Sequence, residues 1–319
     1  MTKQIWREQS KNHASLQDFT EIKAYHGDSE KLFRLHIPEF FKNNIDFTNS
    51  SDPLLMQVLP SIDEIKTVKD FSDDPVGDLK SKKSKGVIHK YKGRVLLIAT
   101  GSCAINCRYC FRRSFPYSQN NASANNWSSA IDYISNNSDL HEVILSGGDP
   151  LMLSTKVLSN FTTQLNNIEH IKTLRIHTRI PLVNPSRITD KFIKWLDGIH
   201  LKKVMVLHSN HPKELHPELK TTLNKVASTQ TLLLNQSVLL KGINDNAKTL
   251  SQLSFKLFEF GVLPYYLNQL DKVQGAAHFQ VTNKQAKRIH RELLATLPGY
   301  LVPKLVEEIP GKKNKSPLN

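Results

Sequence analysis

The residues with chemistry in them are Cys103, Cys107 and Cys110, the only three cysteines of a 319-residue chain. They do not form a disulfide framework: an odd count leaves one thiol unpaired, and loops this short close with strain. Clustered thiolates on one loop can instead converge on a metal centre. A closed structural zinc site takes four ligands, and the nearest histidines, His89 and His141, stand at no finger-like spacing. Three thiolates on a four-iron cube leave one iron open to a small-molecule ligand. C-x3-C-x2-C with no further cysteine fits that arrangement. A labile zinc loop is the alternative that spacing alone leaves open.

The elements that must position this loop follow an alternating pattern. Arg94–Thr100 (RVLLIAT) is a continuous apolar run of buried-strand type, and the cysteine loop leaves its C-terminal end. Glu142–Ser146 predicts a second strand, ending in Gly147-Gly148-Asp149-Pro150. Further strands are expected at Thr173–His177, Lys203–Leu207, Leu232–Leu239 and Leu263–Leu267, and helices at Trp127–Ser135, Asp190–Leu196, Glu214–Lys225 and Ala247–Phe260. Such βα units in series argue for an α/β chain folded as a parallel barrel, with functional residues at the C-terminal strand ends. Residues 1–90 read as a mostly helical cap, 91–300 as the barrel and 301–319 as a separate C-terminal segment. No G-x-G-x-x-G or P-loop indicates a dinucleotide or nucleoside triphosphate site.

Composition bounds the class. Hydrophobic residues make up 39% and charged residues 23%, which suits a globular protein with ample core. No apolar run approaches the ~20 residues that span a bilayer. The Met1–Trp6 start lacks a signal-peptide core, so a cytoplasmic location without a membrane is expected, a compartment whose reducing character suits an oxygen-sensitive cluster. The net charge of +14 invites a nucleic-acid partner. The charge is scattered, however, with dense runs only at Lys80–Lys85 and Lys312–Lys315 and no aromatic-and-basic signature, so nucleic acid is disfavoured.

Other residues carry weaker signals. The Ser146-Gly147-Gly148-Asp149 turn offers backbone groups that a ligand can approach closely, since glycine has no side chain. Arg112 and Arg113 follow the last cysteine and can pair a carboxylate bidentately. Asp271, beyond the strand at 263–267, places a carboxylate at the barrel rim. Leu301–Pro310 reads as a strand, after which a basic segment contains Lys315.

Taken together, the motif resembles the signature of the radical S-adenosylmethionine enzymes, and the chain from about residue 30 onward is similar to the lysine 2,3-aminomutase family. The resemblance rests on His89–Leu97 (HKYKGRVLL), the cysteine loop with Arg112-Arg113, Leu145–Asp149 (LSGGD), Arg175–Arg179 (RIHTR), Asn210-His211-Pro212 and Pro310–Pro317 (PGKKNKSP). It implies a partial (β/α) barrel of radical S-adenosylmethionine type with an N-terminal helical extension. It implies a [4Fe-4S] cluster on the three cysteines, S-adenosylmethionine against Ser146, Gly147, Gly148 and Asp149 with Tyr109 beside adenine, and pyridoxal 5′-phosphate (PLP) on a catalytic Lys315. Tyr91 and Arg94 would approach the PLP ring or phosphate, with Arg179 a further candidate. Arg112 would take the substrate carboxylate, and Asp271 with Glu308 the distal ammonium of lysine. Phrases such as Cys107–Tyr117, Asn244–Ala247 and Asp271–Phe279 resemble the branch that makes (R)-β-lysine from (S)-α-lysine, which a separate ligase attaches to elongation factor P. A flavodoxin or ferredoxin would supply the electron.

Two departures stand out. Lys312-Lys313-Asn314 replaces most of the family's glycine run, and Glu308 stands where many free-lysine mutases have Asp. The chain stops soon after Lys315, short of the larger mutases' C-terminal extension, so a homo-oligomer is left open. Three other readings compete: an aminomutase for another amino acid such as glutamate, a PLP-free radical enzyme modifying protein or RNA, and a non-enzymatic iron–sulfur or basic RNA-binding protein. Two carboxylates in one pocket favour a cationic substrate over glutamate.

Overall fold

A computed structural model describes residues 5–11, 22 and 24–318; residues 1–4, on which part of the Met1–Trp6 reading rests, lie outside them. Its frame is one ten-stranded sheet in which the strands lie in chain order. These are β1 (Lys82–Ser84), β2 (Val87–Tyr91), β3 (Arg94–Thr100), β4 (Glu142–Gly147), β5 (Thr173–Thr178), β6 (Lys202–His208), β7 (Thr231–Val238), β8 (Leu263–Asn268), β9 (Lys304–Glu307) and β10 (Ser316–Pro317). From β3 to β9 every neighbour is parallel, while the hairpin β1–β2–β3 and the last pair β9–β10 are antiparallel. No pairing joins β10 back to β1, so the sheet is a partial (β/α) barrel with an N-terminal extension of short helices.

Crossover helices cover the outer face, and their ends are set by short polar side chains. Ser154 accepts the Val157 N–H, Thr189 the Phe192 N–H and Asn246 the Thr249 N–H, each satisfying a donor that the first turn leaves free. Thr282 and Gln285 form a reciprocal capping box at the start of helix Asn283–Thr296. Against this layer pack the outward residues of the strands, such as Val95, Leu97, Val143 and Leu145, in one core that also takes in Phe161, Phe192 and Trp195. Their partners one residue along point inward, the period-two alternation of a strand. Ile144 and Ser146 on β4, Arg175 and His177 on β5, Gln236 and Val238 on β7, and Tyr266 and Asn268 on β8 therefore line the interior.

The barrel strands expected from sequence appear within a residue or two of the expected ends, whereas the strand expected over 301–310 is confined to Lys304–Glu307. The segment boundaries differ more. Residues 82–90, read as the end of a helical cap, lie in the hairpin of β1 and β2 and belong to the sheet. The β2–β3 turn uses Gly93 at φ +76°, a left-handed conformation that favours glycine, and a Cβ there would lie 2.2 Å from the exposed His141 ring, which would have to turn aside. Residues 304–307 and 316–317 likewise extend the sheet instead of standing apart. In the expected helix 214–225, Pro212–Glu214 is a separate 3-10 turn and the α-helix runs Leu219–Ala227, because Pro217 interrupts the ladder between them.

Candidate active site

The C-terminal ends of the parallel strands open onto one cavity of about 460 Å³. The three cysteines line it, as do Tyr91, Arg94, Arg112, Asp271, Glu308 and Lys315. Cys103 and Lys315, 212 positions apart in the chain, thus share a single chamber, which is what a barrel mouth achieves.

The cysteine loop leaves β3 and is stitched to the turn after β4. Gly148 N–H donates to Thr100 O at 2.7 Å and Asp149 N–H to Ser102 O at 2.8 Å. A Cβ on Gly148 would sit 2.4 Å from Ser102 O, and one on Gly147 (φ +120°) 2.6 Å from Thr100 O. The glycines therefore let two backbones touch, and the N–H groups expected to face a ligand at Gly148 and Asp149 are spent on the cysteine loop. The Asp149 carboxylate is also engaged: it accepts from Thr178 Oγ1 at 2.8 Å, Arg179 N–H at 2.7 Å and Leu151 N–H at 3.0 Å. Burial pushes its carboxyl up, against these hydrogen bonds. Asp149 anchors the ends of β4 and β5 to each other.

The loop is pinned from the N-terminal extension as well. Glu64, with no exposed side-chain surface, accepts from Arg108 Nε at 2.8 Å and from Arg113 Nη2 at 2.7 Å. Arg108 reaches further to the Phe33 and Ser29 carbonyls. The two arginines flanking Cys110 are thus fixed by one carboxylate. Arg113, considered from sequence as a carboxylate reader, is consumed by this buried pair.

Burial, and then the neighbouring thiols, push Cys103 up; Cys110 is pushed up to about 11 by the same causes. Among the described residues no three His, Cys, Asp or Glu side chains draw together as ligands of a single ion. The three thiols instead face a common space, and a cluster of several metal ions spreads its ligands wider than one ion does. With the donor set all sulfur, this suits a cubane rather than a closed zinc site.

Along the cavity wall, reaching to Arg112 beside the cysteine loop, lie the charged residues. Lys315 Nζ donates to Asn268 Oδ1 at 2.9 Å and pairs with Glu308 Oε2 at 3.1 Å. Lys90 bridges Glu308 Oε1 at 2.9 Å and Asp78 Oδ1 at 2.6 Å, and Asp78 Oδ2 accepts from Arg112 Nε at 2.7 Å. Arg112 Nη1 reaches Ser146 Oγ at 3.1 Å, and no hydrogen bond from Nη2 of its fork is seen among the described residues. Asp271 meets Lys315, Glu308 and Lys90 as charges rather than as hydrogen-bond partners, and burial pushes it up to about 7. Glu308 stays below the usual carboxylate range despite burial, because Lys315 and Lys90 sit beside it. The Arg94 guanidinium lies 4.8 Å over the Tyr91 ring, and no carboxylate pairs with it among the described residues. His177 lines the cavity with Nε2 lacking a partner; burial, then the positive charge of Arg175, Lys315 and Arg112, keeps it neutral. An unpaired cation, an orphaned imidazole nitrogen and a lysine at one wall suit a phosphorylated aldehyde cofactor.

Arg179 is not on that wall. Its Nη1 donates to Cys107 Sγ at 2.7 Å and Tyr109 Oη at 3.0 Å, and Nη2 to Gln57 and Glu214. The expected approach to PLP is thus replaced by a place behind the cysteine loop, because the chain turns at Arg179 into helix Ile180–Val183. Tyr109 belongs to the same network, with Asn210 Nδ2 donating to its hydroxyl at 2.7 Å and a stacked His208 at 5.6 Å. Roles for Lys90, Asp78, His177 and Glu64 were not assigned from sequence. For His177 the signal existed, since strand alternation in Arg175-Ile-His-Thr puts it on the same face as Arg175.

Comparison with known proteins agrees with this geometry. A family model described as "4Fe-4S single cluster domain" matches residues 92–197, which include all three cysteines. The L-lysine 2,3-aminomutase of Buchnera aphidicola subsp. Baizongia pistaciae is 51% identical over 290 residues, 91% of this chain and 85% of that protein. That of Escherichia coli (strain K12) is 47% identical over 291 residues, again 91% and 85%. Among solved structures, histidine-tagged anSMEcpe with bound AdoMet superposes with a TM-score of 0.50 at 15% identity, covering 63% of this chain and 58% of its own, a likeness of fold. With such identity to aminomutases sustained along most of its length, the chain belongs to the L-lysine 2,3-aminomutase family of isomerases.

Proposed function

We propose that the protein is a PLP-dependent radical S-adenosylmethionine aminomutase that converts (S)-α-lysine to (R)-β-lysine, the product that a separate ligase attaches to elongation factor P. One observation carries the reading: a single cavity holds three thiols at one wall and, at another, a lysine beside two carboxylates. The family, with 51% identity to a named aminomutase, supplies the reaction type. When bound, the cluster with S-adenosylmethionine supplies a carbon radical, and PLP supplies a conjugated ring that spreads an unpaired electron.

The chain's own residues bind and orient. Cys103, Cys107 and Cys110 would hold the cluster, Ser146 and the Gly147-Gly148 turn with Tyr109 would border S-adenosylmethionine, and Lys315, Tyr91 and Arg94 would hold PLP. Arg112, braced at Nε by Asp78, turns Nη2 toward a substrate carboxylate. Glu308 already accepts two ammonium groups, from Lys90 and Lys315, so its site suits the distal ammonium of lysine. Asp271, which burial pushes up to about 7 even beside Lys315 and Lys90, gains its charge as a further ammonium approaches, so the pocket becomes complementary as the substrate enters. A glutamate side chain would meet these two carboxylates with the wrong sign. Enclosure in the barrel keeps water and oxygen from the reacting carbon. The elongation factor P role rests on the Cys107–Tyr117 and Asp271–Phe279 phrases, and the flavodoxin or ferredoxin donor on the same resemblance; a cytoplasmic location suits an oxygen-sensitive cluster.

The test is anaerobic: reconstitute iron and sulfide, add PLP, S-adenosylmethionine and dithionite, and follow (S)-α-lysine by chiral chromatography. Formation of (R)-β-lysine, lost in Lys315→Ala, is expected. Cleavage of S-adenosylmethionine with lysine unchanged would overturn the substrate, and lysine turnover by Cys110→Ala would overturn the radical reading.

A further inference from the structure

We propose that Arg179 sets the reduction potential of the cluster, through a charge-assisted N–H···S hydrogen bond to Cys107. The inference rests on the reading of the three cysteines as cluster ligands. Its geometry is independent of PLP and of lysine.

Arg179 follows β5 directly, with its backbone N–H held by Asp149. The side chain is 6% exposed, so its charge acts without water to screen it. Four side chains fix the guanidinium: Cys107, Tyr109, Gln57 and Glu214. Glu214 is itself immobilised, accepting Gln57 Nε2 at 3.1 Å, Asn210 N–H at 2.8 Å and His211 N–H at 3.0 Å. The cation is therefore held against the sulfur, and the one carboxylate paired with it among the described residues, Glu214, is bonded to the other Nη.

Hydrogen bonds to ligand sulfurs and nearby charge are among the factors that set iron–sulfur potentials. One-electron reduction adds a negative charge to the cluster. A buried guanidinium at one of its sulfurs stabilises the reduced form more than the oxidised one, and so raises the potential. Glu214 works in the opposite direction. Arg179 is thus a positioning and tuning residue that acts through Cys107.

The experiment is an EPR-monitored redox titration of the reconstituted protein, without S-adenosylmethionine, using dithionite as the one-electron donor, for wild type, Arg179→Gln, Arg179→Lys and Glu214→Gln. Iron and sulfide content is measured alongside. A wild type that binds no cluster would sink the cluster reading, whereas the midpoints test the tuning. Arg179→Gln should shift the one-electron equilibrium tenfold toward the oxidised form, a fall of about 59 mV. Arg179→Lys should keep part of the wild-type value, and Glu214→Gln should move the midpoint up. Arg179→Gln with wild-type iron content and an unmoved midpoint would overturn the proposal. Should Arg179→Gln fail to fold or bind iron, unmoved midpoints in both other variants would overturn it equally.

Discussion

Glu64→Gln is the perturbation whose magnitude can be worked out from the structure. The carboxylate is fully buried and is the shared partner of Arg108 and Arg113, which stand at 0% and 7% side-chain exposure. The substitution keeps the shape and removes the carboxylate to which both guanidinium groups bond directly. Breaking a buried pair by neutralising one partner costs about 3–5 kcal/mol, because the remaining charge stays out of water. At ~2.1 cal/mol/K per residue, 319 residues give an unfolding entropy of roughly 0.7 kcal/mol/K, so the melting temperature should fall by roughly 4–8 °C. Thermal unfolding of the protein before cluster reconstitution, followed by circular dichroism, reads this directly. Arg288→Met is the control, since it breaks an ion pair with Glu292 that is exposed on both sides; such pairs contribute at most about 1 kcal/mol. A fall in the Glu64→Gln melting temperature no larger than in the control would refute the argument that these arginines depend on Glu64.

Other outcomes follow from the same geometry. Gly148→Ala should lower iron incorporation by colorimetric assay, since its Cβ would collide with Ser102 O and push the cysteine loop away from the β4 turn. Asp271 should give stability a negative slope between about pH 4 and 7: its folded-state carboxyl is raised to about 7, so the folded protein binds more protons than the unfolded one in that window. Stability is therefore lost as pH rises through it, by at most about 4 kcal/mol, and Asp271→Asn should flatten that slope in denaturant titrations. Arg112→Lys should raise KM for lysine more than it lowers kcat, because a point charge cannot hold Asp78 and a carboxylate in the same forked geometry.

What could be read in the sequence was what depends on local order. Strands such as Arg94–Thr100 declare themselves by apolar runs, and three cysteines at fixed spacing declare a metal loop. Lys315 was legible only through the surrounding segment that it shares with a family, since a lysine in a basic tail carries no signal of its own. The β1–β2 hairpin was missed because Lys82–Ser84 is polar and exposed at the sheet's edge, where pairing rather than composition makes the strand. Glu64 and Gln57 were invisible for another reason. Their partners lie 44 to 157 positions away, and nothing in a one-dimensional pattern marks a side chain that acts across the fold. Arg179 was noticed but assigned to the wrong wall, because a motif gives a position along a strand and not the direction in which a long side chain leaves it.

The chain-order sheet also has a consequence for biosynthesis. Each strand from β2 to β9 pairs with the one made just before it, so the barrel can grow by local additions as the polypeptide leaves the ribosome. Lys315, immediately before β10, is translated after every other strand of the sheet, and its position is secured by the pairing of Ser316 with Glu307. A nascent barrel thus has its cysteine loop in place well before its lysine. Iron bound by the cysteines could then enter a partly synthesised protein, whereas any group held by Lys315 would have to wait for the final strand.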